Sequence, residues 1–250
     1  MKNKNQWFET KYQINKRGEL SASSDSNYLS PSSWLCANII AKQYEEKIPL
    51  YAKGLLLDLG CGFAPLFRYY EKYVSDCVCV DWENTLHKNP YLDLVCDITA
   101  DLPFDDGTFD TVILSDVLEH IPNPSHLLSE VKRIVKDGGY IFLNSPFMYW
   151  IHESPFDYHR YTKYSYELMA NGLDLTIACL DEMGGGIEVF VDVSGKLAGQ
   201  IKILSPLVRL YNKLSYRFYR SKIGKILYNR TKHTLTLGYF IVMKKDLEDN

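Results

Sequence analysis

The stretch Leu55-Leu56-Leu57-Asp58-Leu59-Gly60-Cys61-Gly62 decides how this chain is read. Its aliphatic run predicts a buried strand, and the acid followed by Gly-x-Gly predicts a tight turn at the strand's end. The next segment, Phe63 to Tyr73, spaces Phe63, Leu66, Phe67 and Tyr70 along one face of a helix. Strand, glycine turn and helix start together make a nucleotide-binding corner. Glycine lets the backbone approach a ligand, and a helix N-terminus favours negative charge. An acid also closes the next predicted strand, Asp76 to Asp81. Asp81 stands 21 positions beyond Gly60, near the roughly 20 expected of an acid that grips ribose hydroxyls. A dinucleotide fingerprint needs a third glycine so that helix and strand pack around a pyrophosphate. Pro65 holds that place here. A nucleoside without phosphates therefore fits better.

With these residues the chain resembles the class I S-adenosylmethionine-dependent methyltransferases. The resemblance implies that Asp58, Gly60, Cys61 and Gly62 meet the methionine moiety and that Asp81, with Trp82 beside it, holds the ribose. Further matches follow in the family's order. Cys96-Asp97-Ile98 ends a third short apolar run, and the family places there an acid that bonds the adenine amino group. Asp101 to Ser115 looks like the turn into the fourth strand, Asp116-Val117-Leu118-Glu119-His120-Ile121 like the segment after it, and Val135 to Leu143 like the helix end and fifth strand. One Gly-x-Gly would be weak, but several ordered motifs at βαβ spacing are strong. The implied fold is α/β: a Rossmann-like, mainly parallel sheet with helices on both faces, an antiparallel last strand and a helical insertion before it. The implied cofactor is S-adenosyl-L-methionine.

At 250 residues, with 46% hydrophobic and 24% charged content, the chain suits one sizeable soluble α/β domain with embellishments. Its net charge of −3 gives no general sign of a nucleic-acid partner. Six cysteines include no C-x-x-C pair, and several lie in predicted strands, so reduced thiols and a cytoplasmic location are expected. The N-terminus leads into no long apolar core, so no secretory signal is expected. No uncharged apolar run approaches a membrane span. No cluster has convincing metal-ligand spacing, so no metal is expected. Nothing in the sequence sets an oligomeric state.

Organisation follows the patterning. Residues 1–50 read as an N-terminal arm, expected to order by folding over the site, and a helix from Pro31 to about Lys47; Ser21 to Ser26 read as loop. Residues 51–182 read as the core, in the order strand, helix, strand, strand, strand, helix, strand up to Asn144. Ser125 is the expected cap of the helix bearing Leu127, Leu128, Val131, Ile134 and Val135, with Gly138 and Gly139 as its stop. Residues 145–163 form an aromatic lid loop at the carboxyl edge of the sheet, where acceptors would enter. Its pattern Pro-Phe…His-x-x-Pro-x-Asp-Tyr-x-Arg-Tyr-Thr resembles a subgroup associated with surface-polysaccharide biosynthesis. Residues 183–233 read as a basic insertion. Leu197, Ile201, Leu204, Val208, Tyr211, Leu214 and Phe218 recur at helical steps, Pro206 either kinks the helix or starts a second one, and no acid occurs between Asp192 and Asp246. Such a helix suggests contact with an anionic membrane surface or another polyanion, and equally reads as a cap on the domain with a solvated face. Residues 234–250 complete the core with a last strand, Thr234 to Met243, and a tail.

These readings converge on methyl transfer by in-line displacement, for which the protein must align nucleophile, methyl carbon and sulfur. A hydroxyl acceptor also needs a base, and His152 is the candidate. Tyr149, Asp157, Tyr158, Arg160 and His120 are candidate acceptor contacts, although Asp157 and Arg160 could instead pair to stiffen the loop, and His120 could be structural. Ser115 is a further cofactor candidate. The expected acceptor is a small-molecule or lipid-linked saccharide, with a nucleic acid disfavoured. A lipid, quinone or RNA methyltransferase remains open, as does a cofactor-binding scaffold without turnover. Formation of S-adenosylhomocysteine separates the enzymes from the scaffold.

Overall fold

A computed structural model describes residues 1–83 and 89–247; the end of the expected tail, 248–250, lies outside them. The arm is not simple loop. It forms a small antiparallel hairpin, β1 (Tyr12–Ile14) and β2 (Leu20–Ala22), so Ser21 and Ala22 are strand rather than loop. Tyr12 and Ala22 of this hairpin are buried against the core. A 3₁₀ turn at Pro31–Ser33 leads into helix α1 (Trp34–Tyr51), which extends past the expected Lys47.

The core begins at β3 (Leu55–Leu59), as its aliphatic run requires. The next helix, α2, is only Phe67–Tyr70. It is shorter than Phe63 to Tyr73 because Gly62 and Ala64 have left-handed backbones (φ 50° and 47°) and Pro65 follows, so the chain turns before it can coil. Then come β4 (Asp76–Asp81), β5 (Leu94–Val95) and β6 (Phe109–Ser115). Helix α3 (Pro124–Ile134) is capped by Asn123, whose side chain accepts from His126 N, with Pro124 in the first turn. The expected cap, Ser125, lies inside that turn. A residue that fixes φ and lacks an N–H starts a helix better than it precedes one. Gly138 and Gly139 do not stop α3 either. β7 runs from Val135 to Pro146 and contains both, Gly138 at φ 73° in the irregularity that separates the Phe109–Val135 and Thr111–Tyr140 pairs.

Helix α4 (Lys163–Gly172) and strand β8 (Leu175–Met183) follow the lid loop. The insertion folds as three helices, α5 (Gly186–Gly199), α6 (Ser205–Tyr219) and α7 (Lys222–Thr231), with Pro206 starting α6 rather than kinking one long helix. The last strand, β9, is Gly238–Lys245, later than the expected Thr234 start. The Thr236 hydroxyl donates to Met183 O and Gly238 O and holds that stretch in a turn.

The seven-stranded sheet has the order β5-β4-β3-β6-β7-β9-β8, parallel except that β9 runs antiparallel to both neighbours. Both faces are covered, as a parallel sheet requires. Leu56, Ile113, Phe142 and Phe240 join the α1 side, while Leu57, Val112, Leu143 and Ile241 join the α3–α4 side. Among the described residues no helix is long and apolar enough to cross a membrane.

Candidate functional site

The glycine corner brings together residues that the sequence separates. β3 and β4 lie parallel with Asp58 opposite Cys79, and Gly62 N donates to Asp81 Oδ2 at 2.8 Å. Asp81 Oδ1 accepts from Trp82 N. Gly60 and Gly62 have φ of 72° and 50°, and a Cβ on Gly62 would stand in open space. This is the close backbone approach for which glycine is suited. Asp58 is buried at the strand end with the Tyr70 hydroxyl 3.1 Å away. Burial, opposed by that hydrogen bond, pushes its pKa up to about 8. A buried acid without a cationic partner among the described residues, beside glycines that leave room, fits a ligand carrying an ammonium group such as the methionine end of S-adenosylmethionine. Asp97 is exposed, and its Oδ1 accepts from the Thr99 amide (2.8 Å) and hydroxyl (2.7 Å), which lowers its pKa. Ile98 is buried beside it, and Ser115 ends β6 half-buried.

At the carboxyl ends of β6 and β7 a hydrogen-bonded chain fixes the floor of a second space. Tyr44 Oη donates to Asn144 Oδ1 (2.5 Å), Asn144 Nδ2 donates to Asp116 Oδ1 (2.5 Å), and Lys11 of the arm pairs with Asp116 Oδ2 (2.8 Å). Asp116 has φ 54°, as Ala64 and Glu153 have positive φ, so three strained non-glycine residues surround the site. The arm is closed over it: Trp7 Nε1 donates to Ala64 O at 3.0 Å. The cavity, about 230 Å³, is lined by Lys11, Asp116, His120, Tyr149, His152 and Glu153 among others.

The lid is built around Asp157. Arg160 grips both carboxylate oxygens (2.5 and 2.7 Å) and also donates to Trp150 O and His159 O. That pairing holds the Asp157 pKa well below the usual range. Asp157 then accepts from His152 N (2.9 Å) and faces His152 Nδ1 at 3.2 Å. On the other side of the ring, His152 Nε2 lies 3.6 Å from Glu119 Oε1, and His120 Nε2 lies 3.7 Å from the same oxygen. Glu119 is fully buried, and neither of its oxygens has a hydrogen-bond partner among the described residues. Burial raises its pKa, with the His152 contact opposing. Burial of His152 disfavours its charge, but Glu119 and then Asp157 outweigh this and hold its pKa above the ordinary value. His120 Nδ1 bonds Phe156 O at 2.8 Å, and Phe156 packs edge-on to Trp82 (5.1 Å), joining lid to nucleoside corner.

His152, His120 and Tyr149 therefore meet at one cavity, whereas Asp157 and Arg160 hold the lid through each other. The Tyr158 ring is exposed and its amide bonds Glu119 O at 2.9 Å. Sequence reasoning missed Glu119, Asp116, Asn144 and Lys11. Glu119 carried a signal, since it precedes His120 in the quoted segment. Lys11 carried none, since only the folded arm brings it near. Glu119, His120 and His152 offer polar atoms within 4.8 Å of one another, although 119 and 152 are too far apart for a sequence motif. Such a trio can share a proton and has the composition that divalent metals use.

Residues 57–143 match the family model described as a methyltransferase domain. The chain is 33% identical over 104 residues to an uncharacterized protein of Methanocaldococcus jannaschii, an alignment spanning 41% of this chain and 43% of that one. It is 28% identical over 107 residues to the ubiquinone biosynthesis O-methyltransferase of Xanthomonas euvesicatoria pv. vesicatoria, spanning 38% and 44%. The chain thus spans less than half the length of either curated relative. Its fold is similar to the crystal structure of a SAM-dependent methyltransferase from Archaeoglobus fulgidus (17% identity, 83% of this chain, 93% of that chain, TM-score 0.51). Residues 57–143 are thus similar to a methyltransferase domain, carried on a Rossmann-like fold. Its cofactor is S-adenosyl-L-methionine.

Proposed function

We propose that the whole protein is an S-adenosylmethionine-dependent O-methyltransferase that acts on a hydroxyl of a small acceptor, in the first instance a free or lipid-linked saccharide. The observation that carries this reading is His152, set between Glu119 and Asp157 on the wall of the cavity beyond β6 and β7. When bound, the cofactor supplies an electrophilic methyl carbon, so the residues' work is alignment and proton removal. Asp58, Gly60, Gly62 and Asp81 would hold the methionine and ribose ends. The aromatic lid excludes water, and Asp157 holds the His152 backbone and faces its ring while Arg160 fixes Asp157. His152 takes the acceptor proton as the oxygen attacks, and the buried Glu119 carboxylate stabilises the resulting imidazolium. The lid pattern that resembles the surface-polysaccharide subgroup supports the saccharide. Similarity to a ubiquinone biosynthesis O-methyltransferase supports a second reading, a quinone or other lipid hydroxyl.

The test is transfer of a radiolabelled methyl group to saccharide and phenolic-lipid panels, with release of S-adenosylhomocysteine. His152→Ala should lower turnover by about 10²–10⁴-fold with cofactor affinity nearly intact. Undiminished turnover would remove His152 as the base, and absence of transfer to any hydroxyl acceptor would remove the O-methyl assignment.

A further inference from the structure

We propose that the three-helix insertion, together with the tip of the lid, docks this protein on an anionic phospholipid bilayer so that the acceptor cavity opens beside the membrane surface. The first support is a helix pair with a second, outward apolar face. An ordinary surface helix directs its large apolar residues inward. On α6 the fully buried positions are Val208 and Asn212, with Tyr216 and Tyr219 partly buried against the core, and Asn212 Oδ1 accepts from Leu35 N (3.2 Å) while its Nδ2 donates to Val208 O (3.0 Å). Its leucines face out. Leu207, Leu210 and Leu214, one face at steps of three and four, are 62%, 53% and 57% exposed. Phe190 and Leu197 of α5 are each 69% exposed and Ile203, in the connecting turn, is 85% exposed. The two faces are continuous, because Phe190, Leu207 and Tyr211 line one shallow groove. Contiguous apolar surface of this kind on a soluble domain marks a place of interaction.

Charge selects the occupant. Residues 193–232 contain ten Lys and Arg and no Asp or Glu, so this segment carries +10 while the remainder of a chain of net charge −3 carries −13. A protein so polarised is oriented by an anionic surface, with its basic apolar side toward the surface and its acidic body away. The same charge opposes an isologous pairing of this face with a second copy, which would set +10 against +10. Nucleic acid would use the charge and leave the leucines in water. A leaflet of anionic lipid answers both features: headgroups meet Lys and Arg, and the acyl boundary meets the leucine ridge.

Geometry links this surface to the cavity. Lys196 of α5 is buried and pairs with Asp192, and its Nζ stands 3.1 Å from the Tyr149 ring centroid and 5.4 Å from that of Trp150. Tyr149 lines the cavity and packs 5.4 Å from the His152 ring. Trp150 and Ile151 are 45% and 78% exposed, so the lid tip extends the apolar surface beside α5. A lipid-borne acceptor would enter laterally, past the lid. The docking itself does not depend on the acceptor, whereas the claim about entry rests on the O-methyltransferase reading.

Vesicle flotation tests the docking with the full chain. Vesicles of phosphatidylcholine with phosphatidylglycerol should bind the protein at low salt, and pure phosphatidylcholine should bind it weakly. Binding should fall steeply toward molar salt as the Debye length shrinks to about 3 Å. The triple variant Lys213→Glu, Arg217→Glu, Arg220→Glu should lose about 100-fold or more in vesicle affinity. Leu210→Ser with Leu214→Ser should also weaken binding, and both variants should keep wild-type affinity for S-adenosylhomocysteine, which shows that they fold. No binding of wild type to anionic vesicles at low salt would overturn the proposal. So would a salt-resistant dimer that buries the leucine face, or RNA binding that displaces vesicles. Vesicle binding without methyl transfer to any lipid-borne hydroxyl would leave the docking standing and remove the acceptor assignment alone.

Discussion

If Asp58 meets the methionine ammonium, cofactor affinity should depend on pH, by an amount that can be worked from the structure. The carboxyl is buried at the end of β3 with one hydroxyl partner, Tyr70, and burial pushes its pKa up to about 8. At neutral pH without cofactor it is mostly protonated. Pairing with the methionine ammonium requires the carboxylate, so binding must expel that proton. The ionised fraction is about one half at pH 8 and about one hundredth at pH 6, and affinity should therefore fall about 50-fold, or ~2.3 kcal/mol, across that interval. S-adenosylhomocysteine carries the same ammonium and no methyl to lose, so titration calorimetry can be run at pH 6, 7 and 8. Repeating the titrations in buffers of different protonation enthalpy counts protons: about one released at pH 6, about half at pH 8. Asp58→Asn should flatten both trends. If wild-type affinity changes less than twofold between pH 6 and 8, or if heat is independent of buffer, Asp58 does not meet the ammonium.

Three further outcomes follow from the geometry. Gly60→Ala places a Cβ 2.6 Å from Val117 Cγ2 at φ 72°, which should cost about 1–3 kcal/mol and lower the melting temperature by roughly 2–12 °C; an unchanged melt would refute the steric argument. Glu119→Gln removes the charge that most raises the His152 pKa. The active, neutral imidazole would then appear at lower pH, and the acid limb of turnover should move down; a fixed limb would mean another group sets it. Chelators should leave turnover intact, and loss restored by a divalent metal would reassign Glu119, His120 and His152 as metal ligands.

The alternating core was legible because a parallel sheet buried on both faces writes itself as continuous aliphatic runs, as in Leu55–Leu59 and Val112–Leu114. What misled was local. Gly138 and Gly139 looked like a helix stop, but a glycine with φ 73° serves a strand irregularity equally well. Asn123-Pro124 did announce the start of α3, and the serine after it diverted the reading. The nucleoside corner could be read because its residues recur at fixed spacing. On the candidate acceptor side His152, His120 and Tyr149 were named from the sequence, but Lys11, Asp116 and Asn144 were not, because they come near only when the arm and lid fold across the sheet. A burial state is also invisible in sequence. Glu119 carried no role in the sequence, and only the fold shows its carboxyl fully enclosed, 3.6 Å from His152 Nε2.

The position of β9 has a consequence for how the chain folds. β9 lies between β7 and β8, pairing Gly238 with both Pro146 and Met183. β8 leaves the ribosome before β9 does, yet among the described residues it pairs in the sheet with β9 alone, so it must wait while the whole of residues 184–237 is made. During that interval β7 and β8 both present open edges, the state most prone to wrong pairing with another chain. The helices α5 to α7 are local structures that form on the microsecond scale. Formed first, they would shorten the loop that must close between Met183 and Gly238.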